Sequence, residues 1–546
     1  MTTPVWARVL VVLVLAAFVG LGSLWIARPG LQYDETLFLM ASRPRADTPI
    51  AYTMHFGDRP VALMIISYLG ALKGWVYAPL LGTRPASPAG VRLPAMLIGA
   101  AGLAFLYLFA RRAFGWQTAL LALALASTDP VYLFTTRLDW GPVAIPRLCL
   151  LAGCFGVLRW WQKQRLRDLG LACFAFGLGV FDKATFLWML VALAAAALLV
   201  FPRSLWRGIR SPALPVALAG LVIGSAGFLY YAWKWPGETF RHQTEPPEGY
   251  AEKLRGAQHI LQGAVLVGWI SRDVDGEPLA PPDPLARAVY AVAPRLPHAR
   301  TLLLPAALAA LLLLPALPFR PWGRGMLFTL LVCLIAFAQM LPVRSAGAAH
   351  HLALLLPFPQ LFVAAGLLGA RQGLLAWLSR PPWPRVTVAA LGILAAALLA
   401  ANLRGVAHHY FSILGYGGGP GWSEAIYPLE RSLHNARPER IVLLDWGMTM
   451  QLRLLSGDRL PLVEAEQPQG ASYNPRSIEI HLANPRAVFV QHAPGESSAF
   501  PQIAAAFHKL AAERGFETRV VETIRDGHGR PVYQILSLRK PARPPW

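Results

Sequence analysis

Carboxylates are scarce in the first 423 residues of this 546-residue chain. Only 16 of the 29 Asp and Glu side chains fall there, and none lies between Asp58 and Asp129 or between Asp283 and Glu424. Against that depletion the adjacent acids of Tyr33-Asp34-Glu35-Thr36 stand out. A carboxylate so placed can act as a general base on an acceptor hydroxyl, while its neighbour orients it or binds a cation. A loop acid that merely caps the next helix would leave the same trace. A second acid, Asp139, follows Arg137 in the stretch 136–142, where Gly141 and Pro142 mark a loop before a helix. Two acidic sites on one membrane face could converge, and three carboxylates could hold a divalent cation.

The elements that must position these acids are membrane helices. The chain is 55% hydrophobic and 14% charged, against about 25% charged in ordinary soluble domains, and its mean hydropathy is +0.44. Those values exclude a disordered chain, a disulfide scaffold and a purely soluble enzyme. The net charge, 50 − 29 = +21, is spread between apolar runs. It therefore suits lipid headgroups and phosphates, not nucleic acid. Cys149, Cys154, Cys173 and Cys333 fall in apolar runs without a C-x-x-C pair and read as small buried hydrophobes.

Twelve apolar runs qualify as span candidates: 9–26, 60–81, 94–110, 118–135, 142–160, 169–181, 184–201, 213–234, 301–319, 326–342, 350–369 and 386–402. The first has no convincing cleavage site and reads as an uncleaved span. Basic loops at 111–112, 159–167, 203–210, 320–324 and 371–385 all fall on the cytoplasmic side once 60–81 is laid in the outer interface as a helix. The expectation is a polytopic all-α membrane domain of about eleven spans plus that interfacial helix. Its N-terminus is cytoplasmic, and loops 27–93 and 235–300 and everything after 402 face outward. Asp34, Glu35 and Asp139 then share the outer face.

Residues 1–402 form the expected membrane domain, 403–423 a glycine-rich link, and 424–546 an extracytoplasmic α/β domain. Strands are expected at 440–445, 487–491, 517–523 and 531–538, and an amphipathic helix at 500–514. The mixed charges and aromatics of 235–300 (Trp235, Arg241, His242, Glu245, Glu248, Tyr250, Lys253, Arg255) suit a lid over a saccharide or an ordinary solvated loop. Asp445-Trp446-Gly447 follows a strand, where ligands often bind. The adjacent pair His408-His409 lacks metal-ligand spacing.

Several motifs together resemble the GT-C glycosyltransferases, in the branch of protein O-mannosyltransferases and lipid A aminoarabinose transferases. They are Tyr33-Asp34-Glu35-Thr36, then His55 to Pro60 with Arg59 before Pro60, Arg92-Leu-Pro94, Arg137-x-Asp139, Gly177 to Lys183, and Arg344 to Pro359 with His350-His351. Their order matches that of the branch. Asp182 stands where the branch usually has Thr, and His350-His351 replaces part of a late Arg-x-Tyr motif.

The resemblance implies a transferase that moves a sugar from a polyprenyl-phosphate carrier to a glycan, lipid or protein acceptor at the outer face of the membrane. The high Ala, Leu, Arg and Pro content points to a bacterial inner membrane. It makes Asp34, Glu35 and Asp139 the catalytic acids, with Tyr33, Arg137 and Asp182 behind them. A lipid phosphate leaving group needs cations at the interface, which Arg59, Lys183 and Arg344 supply, with His350 and His351 as further donors. A divalent cation remains open. The rival readings are a transporter or flippase of lipid-linked sugars, an oligosaccharide transferase acting from a lipid diphosphate, and a non-catalytic scaffold. A transporter should show internal repeats and midplane charge, and neither is evident.

Overall fold

The computed structural model describes residues 3–43, 52–82, 84–209, 212–239, 249–266, 268–272, 277–293, 300–313, 321–343, 346–377, 383–465 and 475–540. Among them seven helices are long and apolar enough to cross a membrane: Val5–Ser23, Pro88–Phe114, Ala144–Lys163, Ala213–Lys234, Trp322–Met340, Ala349–Leu375 and Trp383–Tyr416. Trp116–Thr128 and Pro130–Leu138, bent by 60°, make up to an eighth. The bend falls where Pro130 cannot donate to the helix and Asp129 restarts it, its Oδ1 accepting from Tyr132 N at 2.8 Å. About eleven spans were expected. Helices Leu166–Asp182 and Leu187–Val200 have 17 and 14 residues, fewer than the roughly 20 that a crossing needs.

The membrane part is not all helical. Residues 52–70 form an antiparallel sheet of β1 (Tyr52–Phe56), β2 (Arg59–Ile66) and β3 (Leu69–Gly70), in the order β1-β2-β3. Of the interfacial helix expected at 60–81, only Leu72–Leu81 is helical. The reason is local. Gly57 at φ 61° and Asp58 form a two-residue hairpin turn, and the β-branched Val61, Ile65 and Ile66 fit a pleated strand. β3 lies against the end of Leu166–Asp182. A Cβ on Gly70 would sit 2.0 Å from the Phe181 carbonyl oxygen.

The C-terminal part carries all four strands read from the sequence and a short fifth. They are β4 (Arg440–Leu443), β5 (Leu462–Glu464), β6 (Ala487–His492), β7 (Glu517–Arg525) and β8 (Pro531–Arg539). The order is β5-β4-β6-β8-β7, with β4 parallel to β5 and β6, and β8 antiparallel to β6 and β7. One face packs Leu443 and Val490 against Leu429, Met448 and Leu452. The other packs Val442 and Phe489 against Ile478, Ile503 and Phe507.

The segment 403–423 is not a loose tether. Helix Trp383–Tyr416 runs well into it, and the glycines beyond are knitted into the membrane part. Arg272 N donates to Gly417 O at 3.1 Å and Gly419 N to Ile270 O at 3.2 Å. Trp422 is 1% exposed and packs edge-on against Trp140 and Trp269, themselves 4.5 Å apart, with ring centroids 5.8 and 5.3 Å away. Removing that ring leaves a large cavity at the join. Trp422→Ala should destabilise the protein by about 3–5 kcal/mol, seen as a lower thermal unfolding midpoint of the detergent-solubilised chain. An unchanged midpoint would contradict this packing role.

Candidate active site

The acid pair lies on a five-residue helix, Tyr33–Leu37, that starts with a capping box. Gln32 Oε1 accepts from Asp34 N at 2.6 Å and Glu35 N at 3.2 Å, and Gln32 N donates back to Glu35 Oε2 at 3.3 Å. Glu35, 1% exposed, meets a fully buried cation from helix Pro88–Phe114. Arg92 Nε donates to Glu35 Oε1 at 2.7 Å and Nη2 to Oε2 at 2.9 Å. The same guanidinium donates to the carbonyls of Ile26, Pro29 and Gly30 at 2.7, 2.8 and 3.0 Å. All five of its N–H donors are thereby used. Arg137, also buried, holds the carbonyls of Trp25 and Arg28 at 2.8 and 2.5 Å. Two arginines from two helices thus shape the loop before the acids.

Asp34, the other acid of the pair, has no cation partner among the described residues. Burial pushes its carboxyl up to about 6, with the Gln32 side chain pulling the other way. Burial, and then the charge of Asp34, raise the phenol of Tyr68 above its ordinary range. Tyr68 lies in the turn between β2 and β3, and its carbonyl accepts from Ala184 N at 2.9 Å. It therefore links the Asp34 loop to the second acidic cluster.

That second cluster centres on Asp139, at φ 44° where one helix ends and the next begins. Its Oδ2 meets Lys73 Nζ at 2.9 Å, and Lys73 also donates to the Asp139 carbonyl at 2.8 Å. Its Oδ1 accepts from Val143 N and Ala144 N at 2.7 and 3.0 Å, capping helix Ala144–Lys163. Lys183, with no exposed surface, donates to Gly141 O at 2.9 Å, and Asp182 is buried beside it. His350 packs over Gly141, where a Cβ would come within 2.4 Å of its ring. His351 lies next to it, with ring centroids 4.1 Å apart.

The sequence-derived set is therefore split. Tyr33, Asp34, Glu35 and Arg137 gather at the first loop, and Asp139, Asp182, Lys183, His350 and His351 at the second. Arg59 stands apart, exposed at the tip of the β1–β2 hairpin. Arg344 lies outside the described residues, as do Arg241, His242, Glu245 and Glu248 of the expected lid. Lys253 of that lid is buried, its Nζ donating to the carbonyls of Met340 at 3.1 Å, Leu341 at 3.0 Å and Val343. Asp34, Glu35 and Asp139 do not gather round one ion, since Arg92 and Lys73 take up the last two. Among the described residues no group of three or more His, Cys, Asp or Glu could hold a metal. The residues that sequence reasoning passed over are Gln32, Tyr68, Lys73 and Arg92 in this paired role. Cations inside apolar runs were the available signal.

The C-terminal domain reaches the same place. The Tyr33 ring packs on Trp446 at 4.4 Å, and Leu31, Tyr33 and Leu37 share a core with Met450 and Leu454. Gly30 N donates to Trp422 O at 2.6 Å. A Cβ there would lie 2.1 Å from the Ser423 carbonyl, so only glycine allows this approach.

Arg92→Leu leaves Glu35 buried without its partner and should cost about 3–5 kcal/mol. Adding Glu35→Gln should recover part of that loss in thermal unfolding at pH 7.5. A loss no greater than that of the exposed Arg431→Leu would contradict the structural role of the pair.

Residues 75–231 match a protein-family model described as dolichyl-phosphate-mannose-protein mannosyltransferase. Among solved structures, the chain is similar to ArnT from Cupriavidus metallidurans bound to undecaprenyl phosphate. The TM-score is 0.59 at 14% identity, covering 97% of this chain and 98% of that one. It is also similar to the oligosaccharyltransferase AglB from Archaeoglobus fulgidus in complex with an inhibitory peptide and a dolichol-phosphate. There the TM-score is 0.53 at 12% identity, covering 98% of this chain and 74% of that one. No curated protein matches the chain. At such identities the structural likeness is one of fold, which the chain shares with both proteins over nearly its whole length.

Proposed function

From its GT-C fold and its mannosyltransferase-like segment, we propose that this chain transfers a sugar from a polyprenyl-phosphate carrier to an acceptor at the outer face of the membrane. One observation carries the reading. Of the three acids implied by the resemblance, Asp34 alone has no cation partner among the described residues, and burial raises its carboxyl to about 6. A base near neutrality is what abstraction of a hydroxyl proton requires.

In this mechanism Asp34 takes the proton of the acceptor hydroxyl as the acceptor oxygen forms its bond to the anomeric carbon. The bond from that carbon to the phosphate oxygen breaks, and the polyprenyl phosphate leaves with the electron pair. In this reading Arg59, exposed at the hairpin tip, holds the phosphate by two parallel N–H donors. Lys183, His350 and His351 supply positive or donor character from the second cluster. Glu35 and Asp139 act as positioning residues, through the Arg92-held loop and the cap of helix Ala144–Lys163. Acceptor class and sugar follow from sites beyond these residues.

Asp34→Asn should abolish transfer of labelled sugar from a polyprenyl-phosphate donor in a membrane assay, while donor binding persists. In the parent chain the rate should rise as pH climbs through about 6 and level off above. The fold favours the protonated acid, so an ionised Asp34 destabilises it. Asp34→Asn should therefore unfold at a higher temperature than the parent at pH 8, and the gap should close as pH falls below 4. Retained transfer by Asp34→Asn would remove the proposed base.

A further inference from the structure

The adjacent strands β4 and β6 send their chains to opposite faces of the C-terminal sheet. After β4 the chain enters Thr449–Ser456 on one face, and after β6 it enters Pro501–Glu513 on the other. In open α/β sheets such a divergence leaves a crevice at the carboxyl ends of the strands, and ligands bind there. Here Asp445 and Trp446 come from the end of β4, His492 from the end of β6, and Glu496 and Ser498 from the loop beyond.

Asp445 organises that crevice. Its Oδ2 accepts from His492 Nδ1 at 2.6 Å and Ser498 Oγ at 2.5 Å, and its Oδ1 from Trp446 N at 2.8 Å and Phe500 N at 2.9 Å. Burial pushes its carboxyl up, but the His492, Ser498 and Phe500 donors outweigh burial and hold it below the usual carboxylate range. Ser498 donates to the acid and not to the imidazole, so this is no nucleophilic triad. It is a rigid binding floor. The His492 side chain is 15% exposed, and with Nδ1 committed to Asp445 its Nε2 is the ring atom left for a ligand. Trp446 is 36% exposed. An ion pair of Glu496 with Arg272, 2.6 Å long, ties the flank to the membrane part. Tyr33, the residue before Asp34, is buried and packs on Trp446 with ring centroids 4.4 Å apart.

We infer that this crevice is the acceptor subsite and that its occupant is a carbohydrate. An indole face stacks on the apolar face of a sugar ring, while a fixed imidazole nitrogen pairs with a hydroxyl. A lipid chain finds no apolar groove in this polar floor. An extended peptide finds no free strand, because β4 and β6 each have neighbours on both sides. The inference rests on the transfer reaction proposed above, since the crevice meets the acid loop at Tyr33, the residue before Asp34.

The test uses the full chain in lipid nanodiscs, with methyl glycosides of glucose, mannose, galactose and N-acetylglucosamine as probes in saturation-transfer NMR. Undecaprenyl phosphate binding is measured on the same samples. The parent and Trp446→Phe should bind at least one glycoside. Trp446→Ala should weaken that binding by about tenfold, and His492→Gln should weaken it measurably, with undecaprenyl phosphate binding unchanged throughout. Glycoside binding that is absent from the parent, equal in Trp446→Ala, or displaced by a Ser/Thr peptide pool would overturn the subsite. A parent that binds glycosides through Trp446 but not undecaprenyl phosphate would leave the subsite standing and overturn the transfer reaction instead.

Discussion

A guanidinium cut off from water fixes the shape of the acid loop. Arg92 spends all five donors, two on Glu35 and three on the carbonyls of Ile26, Pro29 and Gly30. A buried charge of this kind is tolerable only when fully paired, so the loop has one arrangement that satisfies it. On the short helix Tyr33–Leu37 successive residues point about 100° apart. Turning Glu35 into Arg92 therefore turns its neighbour Asp34 away from it. One acid of the pair becomes part of the scaffold so that the other can remain chemically available.

The second acid cluster follows the same division. Asp139 is consumed by Lys73 and by the amides of Val143 and Ala144, which locks the junction between two helices. Lys183 and His350 are packed around Gly141 on that locked junction. The β1–β2–β3 sheet then reaches the second cluster, because Tyr68 in its last turn holds Ala184, next to Lys183, through its carbonyl. The C-terminal domain completes the enclosure through Trp422 and Trp446. Its glycine-rich approach is rigid for a steric reason, since Gly30 and Gly418 sit where a side chain would collide with the main chain of Ser423 and Trp422.

Much of this was legible in the residues. The scarcity of carboxylates picked out the first acidic loop, and short apolar runs at 440–445 and 487–491, with two further runs at 517–523 and 531–538, marked four of the five strands of the C-terminal sheet. The hairpin at 52–66 was missed because hydropathy outweighed the Gly57-Asp58 turn and the β-branched run after it. Both signals were present, and both are local. The pairing of Glu35 with Arg92 and of Asp139 with Lys73 was not legible, because the partners lie 57 and 66 residues apart and only packing chooses them. Lys73 looked like an interfacial cation and is instead 2% exposed. The meeting of Tyr33 with Trp446 spans most of the chain, and no local pattern announces it.

The central claim is that Asp34, unlike Glu35 and Asp139, is a partly buried carboxyl with no cation partner among the described residues. Difference infrared spectroscopy of the detergent-solubilised chain, recorded from pH 3 to 9 and compared with Asp34→Asn, measures that directly. The account predicts that the parent-minus-variant difference contains a protonated-carboxyl band that disappears near pH 6. A parent-minus-variant difference without that band, or one in which it has already vanished at pH 4, would contradict it.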